Sequence, residues 1–182
     1  MMEISKGDLV HAIIHITEIG VLIWIALRAH YTASDVSLTI EDVLIECENP
    51  EQQIYKITVV VEVKNAAISQ FPVTIRDDMV TYLSVTEEEI ERYPNLRLRK
   101  KKFDNTWVMV REPFGGGGAG LPKHLKPGEY LYLNWTFYYA SVLPGEHTLY
   151  IEFFYEDTQL RIKELKEEIR ITEFGGYSLS HP

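Results

Sequence analysis

The chain has 182 residues, with 18 Lys plus Arg against 27 Asp plus Glu and a formal net charge of -9. That length accommodates one modest domain and a short appendage, and the acidic balance excludes a general attraction to nucleic acid or to an anionic surface. With 46% hydrophobic and 25% charged residues and a single cysteine, Cys47, the composition excludes disorder, a disulfide framework and any Cys-rich metal site.

The first thirty residues differ from the rest. From Leu9 to Leu27 the run LVHAIIHITEIGVLIWIAL contains no Lys or Arg, a length that suits a helix crossing a bilayer. Within it His11, His15 and Glu18 each oppose transfer to hydrocarbon, by roughly 2–3 kcal/mol for a carboxylate near the centre. At 100° per residue these three fall with Asp8 on one narrow stripe, while Ile13, Ile16, Val21 and Trp24 cover the other sides. The stripe reads as a polar helix-packing seam; metal ligation or proton relay by the His-His-Glu set, and a soluble core helix, are the alternatives. MMEISKGD before the run is not basic, which argues against a cleaved secretory signal.

Residues 36–172 read as strands. Val36 to Ile45 alternates, Asn49-Pro50-Glu51 turns the chain, and Ile54 to Lys64 places Tyr55, Ile57, Val59, Val61 and Val63 on one face against Lys56, Thr58, Glu62 and Lys64 on the other. A third extended run spans Phe71 to Val85. Thr86-Glu87-Glu88-Glu89-Ile90 has the cap and acidic first turn of a short helix. Leu96 to Lys102 and Thr106 to Arg111 form a hairpin around Asp104-Asn105, and Gly115 to Lys126 is expected to be loop. Tyr130 to Ala140 and His147 to Tyr155 are long strands joined at Pro144-Gly145. Leu160 to Thr172 fits both strand and helix periods, with a strand favoured for Glu168 to Thr172. About seven to nine strands with regular turns predict an all-β, immunoglobulin-like Greek-key sandwich at 31–182, preceded by a hydrophobic helix at 1–30 and interrupted by an insertion at about 86–124.

The residues that carry a family resemblance are Leu38-Ile40-Val43, Val63-Asn65, Pro127-Gly128, Trp135-Thr136 and Gly145-His147-Leu149. Together, over about residues 36–157, they resemble the cell-adhesion-related immunoglobulin-like domain, CARDB, of bacterial and archaeal surface proteins. The VEVKN and FPVTI segments are also similar to the water-stress domain of late embryogenesis abundant proteins. Neither resemblance implies a catalytic set. Lys6-Gly7 before the apolar run is similar to the processing site of type IV pilin-like and archaellin-like proteins, departing from it by placing Ala12 where those proteins carry Glu.

Candidate chemistry is sparse. Gly115, Gly117 and Gly120 satisfy GxGxxG, but Leu121-Pro122 follows where a phosphate-binding helix must begin. Arg97, Arg99, Lys100, Lys101 and Lys102 read as charges guarding a strand edge, or as a docking patch. Asp77-Asp78 and Glu87-Glu88-Glu89 lack calcium-loop spacing, and His124, His147 and His181 are scattered. Asn134-Trp135-Thr136 is a glycosylation sequon at Asn134. On the 130–139 strand Leu131, Leu133, Trp135, Phe137 and Tyr139 are expected inside. That leaves Tyr130, Tyr132 and Tyr138, with Tyr150 and Phe154 on the next strand, as an outer aromatic surface, covered by the insertion or open to a partner. No catalytic residue, cofactor or metal is expected. The reading is a membrane-anchored or filament-associated structural protein that assembles through residues 9–27 and its β domain, outside the cell membrane or in a surface filament, with protein partners or copies of itself and no nucleic acid. A soluble binding or stress-protective domain, and an accessory subunit of a membrane enzyme complex, are the alternatives.

Overall fold

The computed structural model describes residues 6–34, 36–66, 72–118, 123–156 and 160–180. Helix α1 (Lys6–Ser34) is followed by β1 (Val36–Asn49) and β2 (Ile54–Asn65), paired antiparallel from Val36 opposite Asn65 to Asn49 opposite Ile54. The intervening turn is held by Asn49, whose Oδ1 accepts the Gln52 backbone N–H at 3.0 Å. In β2 the alternation reads through directly: Tyr55, Ile57, Val59, Val61 and Val63 are buried and the residues between them face outward.

Next come β3 (Val73–Ser84), the short α2 (Glu87–Arg92), β4 (Leu98–Phe103) and β5 (Thr106–Arg111). Asp104 and Asn105 both take positive φ, at 46° and 65°, which gives the β4–β5 hairpin the turn that matches strand twist. The remaining strands are β6 (Gly115–Gly118), β7 (Lys123–Leu125), β8 (Tyr130–Tyr139), β9 (Gly145–Glu156), β10 (Leu160–Thr172) and β11 (Gly175–Ser178). Three expectations change. Residues 115–118 and 123–125 pair as strands on β8 and β3 rather than forming loop throughout. Residues 160–172 are strand along their whole length, because β9 pairs with them from Leu160 opposite Glu156 to Ile171 opposite Gly145. A strand at 175–178 was not anticipated.

The immunoglobulin-like sandwich is also corrected. The strands form one antiparallel sheet in the order β4-β5-β3-β9-β10-β11-β1-β2-β8-β6, with β7 off the path on β3, and the sheet curls into a half-barrel rather than two separate layers. The inner side of the curl is the core: Trp135 of β8 meets Phe153 of β9 edge to face at 5.9 Å, and Tyr139 of β8 donates to Thr81 of β3 at 2.7 Å. The strand that makes the sheet continuous is β11. It pairs with β10 through Ile171 opposite Gly176 and with β1 through Ile45 opposite Gly176. Backbone lies so close on both sides that a Cβ at Gly176 would sit 2.3 Å from the Arg170 carbonyl oxygen, and one at Gly175 would sit 2.6 Å from that of Ile45. Side-chain-free residues are the physical condition for this bridge.

The insertion is tied down by one buried ion pair. Thr86 caps α2 with a reciprocal capping box: its Oγ1 accepts the Glu89 N–H, and Glu89 Oε2 accepts the Thr86 N–H at 2.8 Å. The same carboxylate accepts the Leu143 N–H at 2.8 Å and faces Arg111 Nη2 at 2.5 Å, with side-chain exposures of 2% for Arg111 and 0% for Glu89. Arg111 Nη1 donates to the carbonyls of Ala140 and Ser141 at 3.0 and 2.7 Å. Burial lowers the Arg111 pKa, and the Glu89 charge opposes that shift.

Two outcomes follow. Gly176→Ala lowers the thermal midpoint by several degrees, a loss of about 2 kcal/mol or more, while Gly115→Ala, whose Cβ meets nothing within 4 Å, stays within about 0.5 kcal/mol of the parent; equal midpoints in calorimetry would refute the bridge argument. Glu89→Gln destabilises the protein by about 3–5 kcal/mol because it strands a buried guanidinium, and Glu89→Gln with Arg111→Met recovers part of that in denaturant titration. A single variant as stable as the parent contradicts the pair's role.

Candidate functional site

Ile, Leu and Val dominate α1 from Ile19 to Leu27, and no proline interrupts the helix. His15 Nδ1 lies 3.3 Å from Glu18 Oε2, one turn apart, with both side chains mostly exposed, so the pair contributes at most about 1 kcal/mol. His11 is exposed on the same side of the helix. The polar stripe therefore exists as a surface feature, open to solvent within the single chain.

Among the described residues no helix is long and apolar enough to cross a membrane. The membrane span expected at 9–27, and the membrane or cell-surface location inferred from it, are corrected accordingly. His11, His15 and Glu18 break the run in its first half, leaving 19–27 as the uninterrupted apolar stretch. At ~1.5 Å per residue that stretch covers about half of a ~30 Å hydrocarbon core.

The helix is nevertheless bare. Ile14, Ile16, Ile19, Leu22, Trp24 and Leu27 expose between 47% and 70% of their surface, and α1 meets the sheet mainly where it joins β1. Positions 19–27 point in all directions around the axis, so the apolar surface is a full cylinder and not one stripe.

The aromatic outer surface divides into two. Trp135, Phe137 and Tyr139 of β8 are buried and Leu131 and Leu133 partly so, as the alternation predicts. Tyr130 and Tyr132 are 60% and 54% exposed with rings 5.9 Å apart in a T-shaped contact, and Tyr132 donates to Glu62 on β2 at 2.9 Å. Tyr138 is half-buried beside Phe114, 6.1 Å away, and Asn134 is exposed between them, opposite Val60. Tyr150 and Phe154 do not join this group. Strand β9 lies across the core from β8, between β3 and β10, so its outward residues face the opposite way. Tyr150 is covered by the insertion: Phe103 of β4 stacks on it at 4.4 Å and 18°, beside Tyr82 and Val110. Phe154 stands half-buried opposite Ile162 of β10.

The basic segment lies on β4, an outer strand of the sheet. Arg99 pairs with Glu112 at 3.1 Å, Lys100 lies over Trp107 at 5.7 Å, and Lys101 reaches Glu152 at 2.6 Å and the Tyr82 hydroxyl at 2.7 Å. Burial acts to lower the Lys101 pKa, but the hydrogen bonds it donates to Glu152 and Tyr82 outweigh it and the net shift is upward. Charges on an outer strand discourage pairing with another chain.

The histidines are separate. His124 Nδ1 is 3.0 Å from the Thr74 hydroxyl, whereas His147 is buried with Nε2 2.9 Å from the Leu143 carbonyl oxygen, a structural role. His181 and Gly120 lie outside the described residues, as do the side chains of Asp77 and Asp78. Among the described residues no three His, Cys, Asp or Glu side chains are grouped as metal ligands. What sequence reasoning missed is the junction at Arg111. Its partner Glu89 was visible only as one of three acidic residues in the first turn after the Thr86 cap, and nothing in local spacing joins residue 89 to residue 111 or to the 140–143 turn.

No family model and no curated protein matches the sequence. Among solved structures the chain is similar to a Bordetella pertussis protein assigned as ApaA. The identity is 15%, 72% of this chain and 87% of the other are covered, and the TM-score is 0.39.

The tyrosines carry a pH signature. Burial pushes Tyr139 upward, outweighing the opposing effect of its hydrogen bond with Thr81; the Glu62 carboxylate raises Tyr132; and burial, helped by Cys47 and Glu173, pushes Tyr55 up to about 12 from 10.0. The raised phenols favour the folded state fully below pH 10, and that contribution declines from pH 10 to 12 as the unfolded chain ionises first. Tyrosinate absorbance therefore rises in two stages, the second coinciding with loss of the aromatic circular-dichroism signal; a single smooth titration with the fold intact contradicts the burial of Tyr55 and Tyr139.

Proposed function

We propose that this protein is an assembly module: α1 associates with copies of itself and the curled β-sheet is displayed at its end. The observation that carries the reading is the uncovered apolar cylinder of α1 at Ile14, Ile16 and 19–27. Exposed apolar surface of this extent drives association in water, since burying it returns roughly 25 cal/mol per Å². A two-helix seam covers one stripe of each helix. A helix apolar on all sides needs more than one neighbour, which favours a bundle of three or more over a dimer. The stripe of His11, His15 and Glu18 sets rotation and register within such a bundle, as isolated polar positions do in helical seams. The open Tyr130 and Tyr132 surface is available to a protein partner of the assembled module.

Sedimentation velocity of the full chain in detergent-free buffer tests this. The expected result is a discrete species of at least three copies, converted to monomer by Leu22→Glu with the aromatic circular-dichroism signal of the sheet retained. A parent chain that is monomeric at tens of micromolar, or that precipitates without detergent and forms no discrete species, overturns self-assembly as the role of α1.

A further inference from the structure

A second feature stands apart from α1 and lies at the insertion. The segment after α2, the turn after β5 and the residues closing β8 enclose a cavity of about 570 Å³, within the range of small-ligand pockets. Three arginines line it in a chain of net charge -9. Arg111 forms part of its wall and is 2% exposed; its Nη1 and Nη2 are engaged by Ala140, Ser141 and Glu89, but its buried Nε–H has no acceptor. A guanidinium with one donor left over at the wall of a cavity is an incomplete binding group. Arg92 and Arg97 are exposed residues of the same lining. The carboxylate that also lines it, Glu112, is held by Arg99 at 3.1 Å, and Glu89 behind the wall is occupied by Arg111. Arg92 and Arg97 are then the charges of the lining left to meet an anion. Leu96 and Phe114 supply an apolar side.

We propose that this cavity binds a small organic acid, its carboxylate held by Arg97 and Arg92 with Arg111 Nε–H as a further donor, and its hydrocarbon body against Leu96 and Phe114. A carboxylate matches the planar fork of a guanidinium. The apolar side separates an organic acid from a bare inorganic anion, which would leave Phe114 uncovered. The site is formed by the β-domain alone and does not depend on whether α1 assembles.

Titration calorimetry of the full chain with phenylacetate, read beside the Arg111 Nε–H resonance in ¹⁵N NMR, tests it. Saturable binding that moves the Arg111 resonance is expected, weakened about tenfold by Arg97→Gln and left within about twofold by Arg170→Gln, which removes the same charge on β10, outside the cavity lining. Phenylacetamide, which keeps the ring and removes the charge, is expected not to bind. Arg97 and Arg170 are both exposed, so neither variant tests folding. No saturation at millimolar phenylacetate, equal loss in both variants, or inorganic phosphate binding as tightly as phenylacetate overturns the proposal.

Discussion

The buried contact between Glu89 and Arg111 is the constraint on which the insertion and its surroundings depend. One carboxylate closes the N-terminal turn of α2, takes the Leu143 N–H and neutralises a guanidinium that itself holds the carbonyls of Ala140 and Ser141. Three chain segments, separated by up to fifty-odd residues, are brought to one point by two side chains. Burying two charges is unfavourable on its own. It is sustained here because most of their polar groups are engaged, while Arg111 Nε–H, which has no acceptor, belongs to a residue that lines a cavity.

From that junction the roles of the insertion separate. Its hairpin extends the sheet through β5 on β3, and Phe103 covers Tyr82 and Tyr150 on the outer side of the curl. What looks in the sequence like one aromatic surface is therefore half closed by the protein itself. The open half, Tyr130 and Tyr132, sits on the other wall of the half-barrel, where β2 and not the insertion is its neighbour. The interruption between the halves of the β-domain is what supplies both a second small core and a cavity lined by three arginines in an acidic chain.

The helix and the sheet pose opposite physical problems. The sheet curls until its apolar side is closed, with Trp135 against Phe153 and Tyr139 against Thr81. The helix closes nothing within the chain, and its polar stripe is too narrow to make it an ordinary amphipathic surface helix. The self-association proposed for α1 would resolve that imbalance without asking the sheet to rearrange. The cavity at Arg111 is lined by the β-domain alone, so the proposed assembly and the proposed ligand binding can be tested separately.

Much of the local structure was legible in the residues. Alternation placed β2 and the buried side of β8, Asp104-Asn105 placed a hairpin turn, and Thr86 with the acidic first turn marked the start of α2, because each is decided by neighbours a few positions away. The same local rules misjudged the glycine run at 115–118 and left 160–172 open between helix and strand, since what settles those segments is pairing with β8 and β9. They also suggested two layers where β11 joins the ends into one curled sheet, a connection made by Gly175 and Gly176 that reads locally as a turn. Sequence by itself determined where the long strands β1, β2, β3, β8 and β9 and the hairpin turn at Asp104-Asn105 lie, that α1 is apolar with a polar stripe, and that the chain is acidic. Tertiary structure alone decided which strands meet, which tyrosines stay open and that Arg111 lies against Glu89 beside a cavity, because those depend on contacts between residues far apart in the chain, which no local period encodes.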